Sequence, residues 1–316
     1  MARWLVEGVD VMIFEKTRAF MKKLGLPESD AWDLPTSGKT FPDGAHWRSE
    51  VPTVNSAEAM RALVETAKKV YKHNINRVDD TYGIMRHTAQ EIKEYIAIAK
   101  DYGVELNFSV GPRATYDTGA TVLSPQGVRV GYRLRGMEQL VRAIEDVKRA
   151  VDLGVRGIIV YDEGMLWVLD EMRKAGELPA NLHIKLSAHM GACNPASFKL
   201  FERLGANSIN PIRDLQLPMI AALRQAVSVP IDLHTDNPPA SGGFIRTYEA
   251  PEMVRIASPV YLKSGNSAVS AHGIITNAND GRNMAAQCAI VKEIMERYFP
   301  EAKQSEPGQP DMAIPE

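Results

Sequence analysis

The stretch 182–189 alternates apolar and polar side chains, as is typical of a β-strand with one buried face. The polar side chains share the opposite face, and they are groups that bind ions or move protons: His183, Lys185, Ser187 and His189. Further along the chain, Asp232 and His234 occupy one face of another apolar run. Imidazole and carboxylate groups in such positions could transfer protons or ligate a divalent cation.

Other ionisable residues follow the remaining strand-like segments, at the ends where parallel α/β folds build their active sites. We expect the catalytic groups to be His189, His234, Asp232, Asp162 and Lys263, and the substrate-binding groups to be Arg113, Arg213, Asp80, Asn210, Ser264 and Gly265. In this hypothesis the arginines hold an anion, the histidines transfer protons, the aspartates orient the histidines and the lysine stabilises developing negative charge.

Three chemistries fit these residue types. A divalent ion (Mn, Zn or Fe) would be held by some of His189, His234, Asp232, Glu163 and Glu50. A Schiff base would form on Lys263 or Lys185, as in a class I aldolase-like lyase, if desolvation lowered the lysine pKa. Metal-free acid–base catalysis would use a histidine as the base.

Along the sequence, each short apolar or alternating run is followed by a long amphipathic helical pattern. This order predicts parallel strands joined by crossover helices. We predict eight strands: His46 to Val51, Ile75 to Asp80, Val104 to Val110, Arg156 to Tyr161, Leu182 to Ala188, Asn207 to Pro211, Val229 to His234 and Pro259 to Lys263. Eight such units over about 250 residues indicate an α/β fold, a (β/α)8 TIM barrel.

The barrel domain is predicted to span residues 43–299, with an N-terminal helical extension over 1–42. The interval between the third and fourth strands is long, so an inserted hairpin or lid is predicted over Ala114 to Gly136. The tail 300–316 is rich in Pro, Glu, Gln and Ser, a composition that predicts disorder.

Composition excludes several functional classes. The 316 residues carry a formal net charge of −2, which offers no general attraction to nucleic acid or an anionic membrane. The two cysteines, Cys193 and Cys288, lack zinc or iron–sulfur spacing, and no nucleotide-binding glycine motif follows a strand. No apolar run reaches the length of a signal peptide or membrane span. We therefore expect a cytoplasmic protein that has a small-molecule substrate, no nucleotide cofactor and no iron–sulfur cluster.

Some of these residues also have purely structural interpretations. Arg48, Glu105 and Lys185 lie early or midway in their strands, where they could form a buried ion-pair network at the barrel floor. His73 and His87 are interpreted as solvated helix or loop residues, and His272 as a helix-capping or core residue. These three histidines are therefore not included in the predicted site.

The sequence resembles the peptidase U32 (collagenase-like) family over roughly 100 residues. The resemblance is carried by the run Gly154 to Gly164, by Leu186-Ser187-Ala188-His189-Met190, by Asn194 to Phe198 and by Leu204 to Arg213 with Leu215. It implies an α/β barrel and a hydrolase. The family's hallmark is a histidine followed by a Ser-Gly-x-Cys tract; His234 and Ser241-Gly242 match it, but this tract has no cysteine. Peptidase and iron–sulfur chemistry are therefore not carried over.

Together these features predict a barrel enzyme that acts on a small polar, anionic metabolite by metal-assisted or acid–base hydrolase, lyase or isomerase chemistry. The alternative to an enzyme is a barrel that serves as a ligand-binding or assembly module, an idea motivated by the missing family cysteine. A homo-oligomer is a further expectation for a barrel of this type.

Overall fold

The computed structural model describes residues 3–6, 9–12, 14–111 and 131–316. The strands in these ranges are β1 Arg3–Val6, β2 Val9–Met12, β3 Trp47–Val51, β4 Arg77–Asp80, β5 Glu105–Ser109, β6 Gly157–Val160, β7 His183–Leu186, β8 Ser208–Ile209, β9 Ile231–His234 and β10 Val260–Lys263. The α-helices are α1 Glu15–Lys23, α2 Ala57–Lys69, α3 Ala89–Tyr102, α4 Gly136–Asp152, α5 Glu163–Lys174, α6 Pro195–Arg203, α7 Leu217–Ala226, α8 Ala250–Ala257 and α9 Ala278–Tyr298.

Strands β3 to β10 close into a barrel in the order β10-β3-β4-β5-β6-β7-β8-β9, and every neighbouring pair is parallel. Strands β1 and β2 form a separate antiparallel pair. A helix follows each of the eight barrel strands, so the predicted (β/α)8 barrel is confirmed.

Each barrel strand lies inside the range predicted for it. The prediction succeeds because the alternation of apolar and polar residues marks which side chains face the helices. In β7, Ile184 and Leu186 are fully buried in the apolar core between barrel and helices. Lys185 points the other way, into the barrel, where it contacts carboxylates from other strands. The same parity puts Glu50 and Lys263 inside the barrel, as predicted.

Local capping signals set the helix boundaries. The hydroxyl of Ser56 accepts a hydrogen bond from the Ala59 amide at 3.0 Å and starts α2, as the sequence predicts. The capping-type sequence Asn55-Ser56-Ala57-Glu58 predicts a helix that ends near His73, and α2 ends four residues earlier, at Lys69. Gly103 ends α3 with a φ of 64°, a left-handed conformation that glycine adopts without a steric penalty.

The prediction of a disordered C-terminal tail is wrong, because residues after 300 pack against the amino-terminal end of the barrel. Ser305, Met312 and Ala313 are buried, and Gln304 forms a bridge with Trp47 at the start of β3. The composition of the tail is polar, but its few small and apolar side chains cover the barrel floor. Tertiary contact therefore orders a segment that has no apolar periodicity of its own.

Arg48 links the tail to the barrel floor. Its guanidinium donates to Ser305 Oγ at 2.9 Å, to the Tyr261 hydroxyl at 3.0 Å and to Asp311 Oδ1 at 2.9 Å. The same group lies 4.0 Å from the centre of the Phe41 ring. Arg48 is only 1% exposed, so it belongs to the buried floor network that the sequence allowed for it.

The structure describes only part of the predicted N-terminal extension and of the predicted insert. Helix α1 lies within the predicted helical extension, whereas the β1–β2 pair in the same region was not predicted. Most of the predicted insert, 114–130, lies outside the described residues, and so does Arg113. None of the helices that the structure describes is long and apolar enough to cross a membrane.

Two histidines interpreted as solvated are buried. His73 is 1% exposed, stacks on Trp47 and lies 3.0 Å from Ser49 Oγ through Nε2. Burial, with a smaller effect of Lys292, lowers the pKa of His73 to about 3. His87 lies 2.8 Å from Asp80 Oδ2 through Nε2, and although burial would lower the pKa of His87, Asp80 holds it above the usual value. Isolated histidines carry no sequence signal for such contacts.

Truncation after Lys303 is expected to destabilise the protein, because it leaves the buried Arg48 without Ser305 and Asp311. Breaking a buried charged contact costs about 3–5 kcal/mol. In an Arg48→Met background the same truncation should cost less, since no charge is stranded. Urea unfolding of the four proteins measures the coupling; an equal cost in both backgrounds would contradict this role for Arg48.

His73 is expected to make stability depend on acid pH. Its folded pKa of about 3 lies below the ordinary value of 6.5, so below pH 6.5 the unfolded chain takes up a proton that the native protein does not. The free energy of unfolding should therefore fall as the pH is lowered, by about 2–3 kcal/mol from this residue at pH 4.5. Urea unfolding at pH 7 and 4.5 should show a smaller loss in His73→Gln. An identical loss of unfolding free energy in the wild type and in His73→Gln would argue against a role for His73 in this pH dependence.

Candidate active site

The carboxyl ends of the barrel strands surround a narrow pocket, where the barrel fold places active sites. Its walls are formed by Pro52, Asp79, Thr81, Tyr132, Ile159, Tyr161, Lys185, Ser187, His189, Asn210, Arg213, His234, Lys263 and His272. Polar and ionisable groups outnumber apolar ones in this wall. The pocket is therefore suited to a polar ligand.

Two ammonium groups at the base of the pocket share the same two carboxylates. The Nζ atoms of Lys185 and Lys263 lie 2.7 and 2.8 Å from Asp79 Oδ2, and both also contact Glu50 Oε1. All four side chains are at most 3% exposed. Because an unpaired buried charge costs several kcal/mol, this mutual compensation is what permits the four groups to be buried together.

A third cation, Arg77, lies beneath this cluster. The Arg77 guanidinium contacts Glu105 at 2.7 Å, Asp232 at 3.2 Å and Glu50 at 3.3 Å, and it lies 3.3 Å from the centre of the Tyr261 ring. Burial would lower the pKa of Arg77, but these partners raise it well above its usual value. The interior of the barrel is thus one continuous ionic network that joins floor and pocket.

Burial and neighbouring charges shift the pKa values of the two carboxylates in the lysine cluster in opposite directions. Burial, followed by the Asp79 carboxylate, raises the pKa of Glu50 to about 7, against the opposing effect of the lysines. Burial would also raise the pKa of Asp79, but Lys185 and Lys263 hold it well below its usual range. For Lys263 burial acts to lower the pKa, and the carboxylates of Asp79 and Glu50 outweigh it, so this pKa is raised.

Arg213 lies higher in the pocket, between two imidazoles. One of its terminal nitrogens, NH2, lies 3.1 Å from His189 Nε2 and 3.0 Å from His272 Nε2. Because a guanidinium can only donate, we assign both Nε2 atoms as acceptors and the ring protons to Nδ1. The Nδ1 of His272 lies 3.3 Å from Thr53 Oγ1, which fits this assignment.

Arg213 differs from the arginines below it in the nature of its partners. Among residues 14–111 and 131–316, no carboxylate forms an ion pair with it. Burial lowers the pKa of Arg213, and the side chains that oppose this effect are Tyr132 and Tyr161. Within the described chain, its positive charge is therefore directed at the pocket and has no fixed counter-ion.

His234 lies at the end of β9, between the Arg213 layer and the lysine cluster. Its side chain is 4% exposed, and its Nδ1 has no hydrogen-bond partner among the described residues. Burial, then the charges of Lys263 and Arg213, hold the pKa of His234 well below its usual value. The imidazole is therefore neutral at neutral pH and able to accept a proton.

Aromatic side chains narrow the mouth of the pocket. The Tyr132 ring stacks on His189 with ring centres 4.1 Å apart and on Tyr161 at 5.0 Å. The Tyr161 hydroxyl lies 2.6 Å from Ser109 Oγ, which itself donates to the Asp80 carbonyl. The cavity volume is about 20 Å³, room for one or two water molecules. A larger ligand needs one of these side chains to move.

The structure brings together several of the residues that the sequence singles out. The pocket wall contains His189, His234, Lys263, Arg213 and Asn210, together with Lys185 of the Schiff-base alternative. They come from the ends of four strands (β7, β8, β9 and β10), which is the arrangement that the barrel prediction implies. Their reactions are not tested by this proximity.

Three predicted aspartates have other contacts. Asp162 caps α5 by accepting the Met165 amide at 3.1 Å, and Asp80 accepts from the Gly83 amide at 2.7 Å and contacts His87. Asp232 is buried below the pocket, where it pairs with Arg77. None of these contacts involves His189 or His234, so the expected orienting role of Asp162 and Asp232 is not what the geometry shows. The inward-facing aspartate of β4 is Asp79.

The predicted glycine turn after β10 is already occupied by a carboxylate. Asp236 accepts from the Gly265 amide at 3.0 Å and from the Ser267 amide at 2.6 Å. The Ser264 hydroxyl lies 2.9 Å from Thr235 Oγ1 and is buried. Ser264 and Gly265 therefore contact groups of the chain itself and do not line the pocket.

The proposed metal ligands are not arranged as one set. Glu163 is at the exposed start of α5 and pairs with Arg133, whereas Glu50 pairs with lysines. Within the described ranges, no group of three or more His, Cys, Asp or Glu side chains is placed to hold a metal ion. Because two ammonium groups already neutralise Glu50 and Asp79, these donors do not fit a divalent cation, and a metal remains only a prediction.

Three residues of the pocket wall, Asp79, Tyr132 and His272, are not among the predicted site residues. Asp79 could have been found by extending the alternation test to β4, where Arg77, Asp79 and Thr81 share one parity. His272 and Tyr132 lie in connecting segments, where no period relates sequence position to direction. Reasoning from the sequence gives no signal for these two.

The fold and pocket define a parallel (β/α)8 barrel with a polar, ionisable site at its carboxyl end. The model of Peptidase family U32 matches residues 133–235, about a third of the chain, which confirms the resemblance to that family over this segment. The matched segment includes His189, Arg213 and His234. No curated protein matches the chain.

Similar solved structures include a U32 peptidase, an aldolase and a putative lyase/mutase. The U32 peptidase Mk0906 is 22% identical, with 65% of this chain and 74% of that chain covered and a TM-score of 0.39. The YdjI aldolase from Escherichia coli K12 is 16% identical, with 82% and 94% covered and a TM-score of 0.46. A putative lyase/mutase from Burkholderia cenocepacia is 12% identical, with 85% and 86% covered and a TM-score of 0.44.

The contacts of Arg213 predict the tautomers of two histidines. At neutral pH, ¹⁵N NMR should show unprotonated Nε2 and protonated Nδ1 in both His189 and His272, because the guanidinium donates to each Nε2. In Arg213→Met this bias should be lost and Nε2–H signals should appear. Protonated Nε2 atoms in the wild type would contradict the arrangement.

Proposed function

We propose that the protein is an enzyme that binds a small anionic metabolite at Arg213 and transfers a proton to or from it through His234. The observation that carries this proposal is the guanidinium of Arg213, which contacts neutral imidazoles and has no carboxylate partner in the described chain. Arginine recognises carboxylate and phosphate groups through two parallel hydrogen bonds. An anion in the pocket would complete the charge pairing that the described residues leave open.

His234 is the best candidate for the base. It is neutral because burial and adjacent positive charge keep protons off it, and it lines the same pocket as Arg213. A buried base next to a bound substrate can take a proton without first losing one to solvent. His189 is a second candidate, but Arg213 occupies its Nε2.

Such a reaction also needs a group that stabilises negative charge on the substrate, and the lysine cluster supplies it. When His234 takes a proton from a carbon next to a carbonyl, the electron pair of the broken C–H bond moves to the carbonyl oxygen. Lys263 Nζ, which lines the pocket, would stabilise that oxygen by a charge-assisted hydrogen bond. Return of the proton to a different carbon gives isomerisation, and loss of a leaving group gives elimination.

The alternatives are less well supported. A Schiff-base mechanism needs a neutral amine, whereas the pKa of Lys263 is raised because Asp79 and Glu50 outweigh burial, and Lys185 is paired with the same carboxylates. A metal mechanism lacks a ligand set among the described residues.

We place the enzyme in a reducing cytoplasm, since Cys193 and Cys288 are unpaired.

Anion binding tests the role of Arg213. Isothermal titration with inorganic phosphate and with short-chain carboxylates should show binding that Arg213→Gln weakens about 10- to 100-fold, the effect of losing a charge-assisted pair. Arg203→Gln is the matched control, because it removes the same charge from an exposed site on α6. Equal loss in both variants would indicate a general charge effect and not a site.

Proton transfer tests the role of His234. A ligand identified by titration should exchange a carbon-bound hydrogen for deuterium in D₂O when the enzyme is present, as followed by ¹H NMR. His234→Asn should abolish the exchange and retain binding, whereas His46→Asn at the opposite end of the barrel should not affect it. Binding without exchange in the wild type would favour the non-catalytic, ligand-binding alternative.

A further inference from the structure

The loops around the mouth share a feature that limits which anions can bind. Free backbone amides at the ends of barrel strands commonly bind phosphate. Here aspartates of the chain itself occupy such amides after three strands: Asp80 accepts from Gly83, Asp162 from Met165, and Asp236 from Gly265 and Ser267. Among the described residues these loop amides are therefore unavailable to a phosphate group.

The cations of the pocket differ in what they can accept. Lys185 and Lys263 are both held between the carboxylates of Glu50 and Asp79, so their charge is already compensated. The network as a whole contains four carboxylates (Glu50, Asp79, Glu105 and Asp232) and three cations (Arg77, Lys185 and Lys263). A second negative charge at the lysines would enter an environment that carries no excess positive charge.

A neutral oxygen suits the lysines better than an anion does. An ammonium group has three N–H donors, and for Lys263 the structure assigns two of them to Glu50 and Asp79. The remaining donor of Lys263, which lines the pocket, can bind a carbonyl or hydroxyl oxygen without disturbing those ion pairs. Lys185 directs its own remaining contact to Asp232, at 3.5 Å.

From these constraints, and resting on the proposed function, we propose that the substrate is a short-chain, non-phosphorylated oxo- or hydroxycarboxylic acid. Its carboxylate binds the Arg213 guanidinium, and its carbonyl or hydroxyl oxygen binds Lys263 at the base of the pocket. The pocket is narrow and its mouth is walled by the stacked rings of Tyr132 and His189, which favours a short acid that needs little side-chain movement to enter. This orientation directs the carbon next to the carbonyl group, or the carbon that bears the hydroxyl group, toward the wall that contains His234.

Ligand pairs that differ in a single group test this class. Isothermal titration compares pyruvate with propionate and 2-oxobutanoate with butanoate, which differ in the oxygen expected at Lys263. The oxo acids should bind about tenfold more tightly than their partners, the factor expected for one hydrogen bond to a charged donor. Phosphoenolpyruvate and phosphoglycolate are the phosphorylated counterparts of pyruvate and glycolate, and they should bind at least tenfold more weakly than these.

The outcomes separate this inference from the proposed function. Equal affinity for pyruvate and propionate, or tighter binding of the phosphorylated acids, would overturn the substrate class while leaving Arg213 as an anion site. Binding of the oxo acids that Arg213→Gln does not change would overturn the proposed function and the inference with it. Absence of binding by every acid in the panel would overturn both. The Arg203→Gln protein is the control throughout.

Discussion

The compensation of charge inside the barrel is the constraint on which the rest of the structure depends. Lys185 from β7 and Lys263 from β10 meet Glu50 from β3 and Asp79 from β4 at one level of the barrel. A shift of one residue in any of these strands would turn its charged group toward the apolar helix layer and leave its partners buried and unpaired. The network therefore fixes the register of strands that are far apart in the sequence.

The same compensation determines the electrostatic character of the site. Cations that are paired within the network organise the base of the pocket, whereas Arg213 above them is surrounded by neutral imidazoles. His234 lies between these two levels and stays neutral because burial and both positive groups disfavour its protonation. Among the described residues, charge is therefore compensated at the floor of the barrel and uncompensated at Arg213 near its mouth, with the unprotonated base His234 in the same pocket.

Much of this arrangement could be predicted from sequence, since alternation along a strand fixes direction. It identified Lys185, His234 and Lys263 as inward-facing groups, and it located the site at the carboxyl ends of the strands. It failed for several residues at or beyond the strand ends, where the period of two no longer fixes the direction of a side chain. Asp162 and Asp80 cap loop amides, and the turn at Gly265 is filled by Asp236, a contact that depends on how two neighbouring loops fold together.

The burial of the C-terminal tail against the barrel floor determines from which end a molecule can reach the pocket. Arg48, Phe41 and Ser305 are packed beneath the ionic network, so the described residues close the barrel at this end. A molecule that reaches the base therefore enters and leaves through the mouth at the carboxyl ends of the strands, which Tyr132 and His189 narrow. In a reaction with two products, the fragment nearer the mouth must depart first, and the fragment on the lysines last.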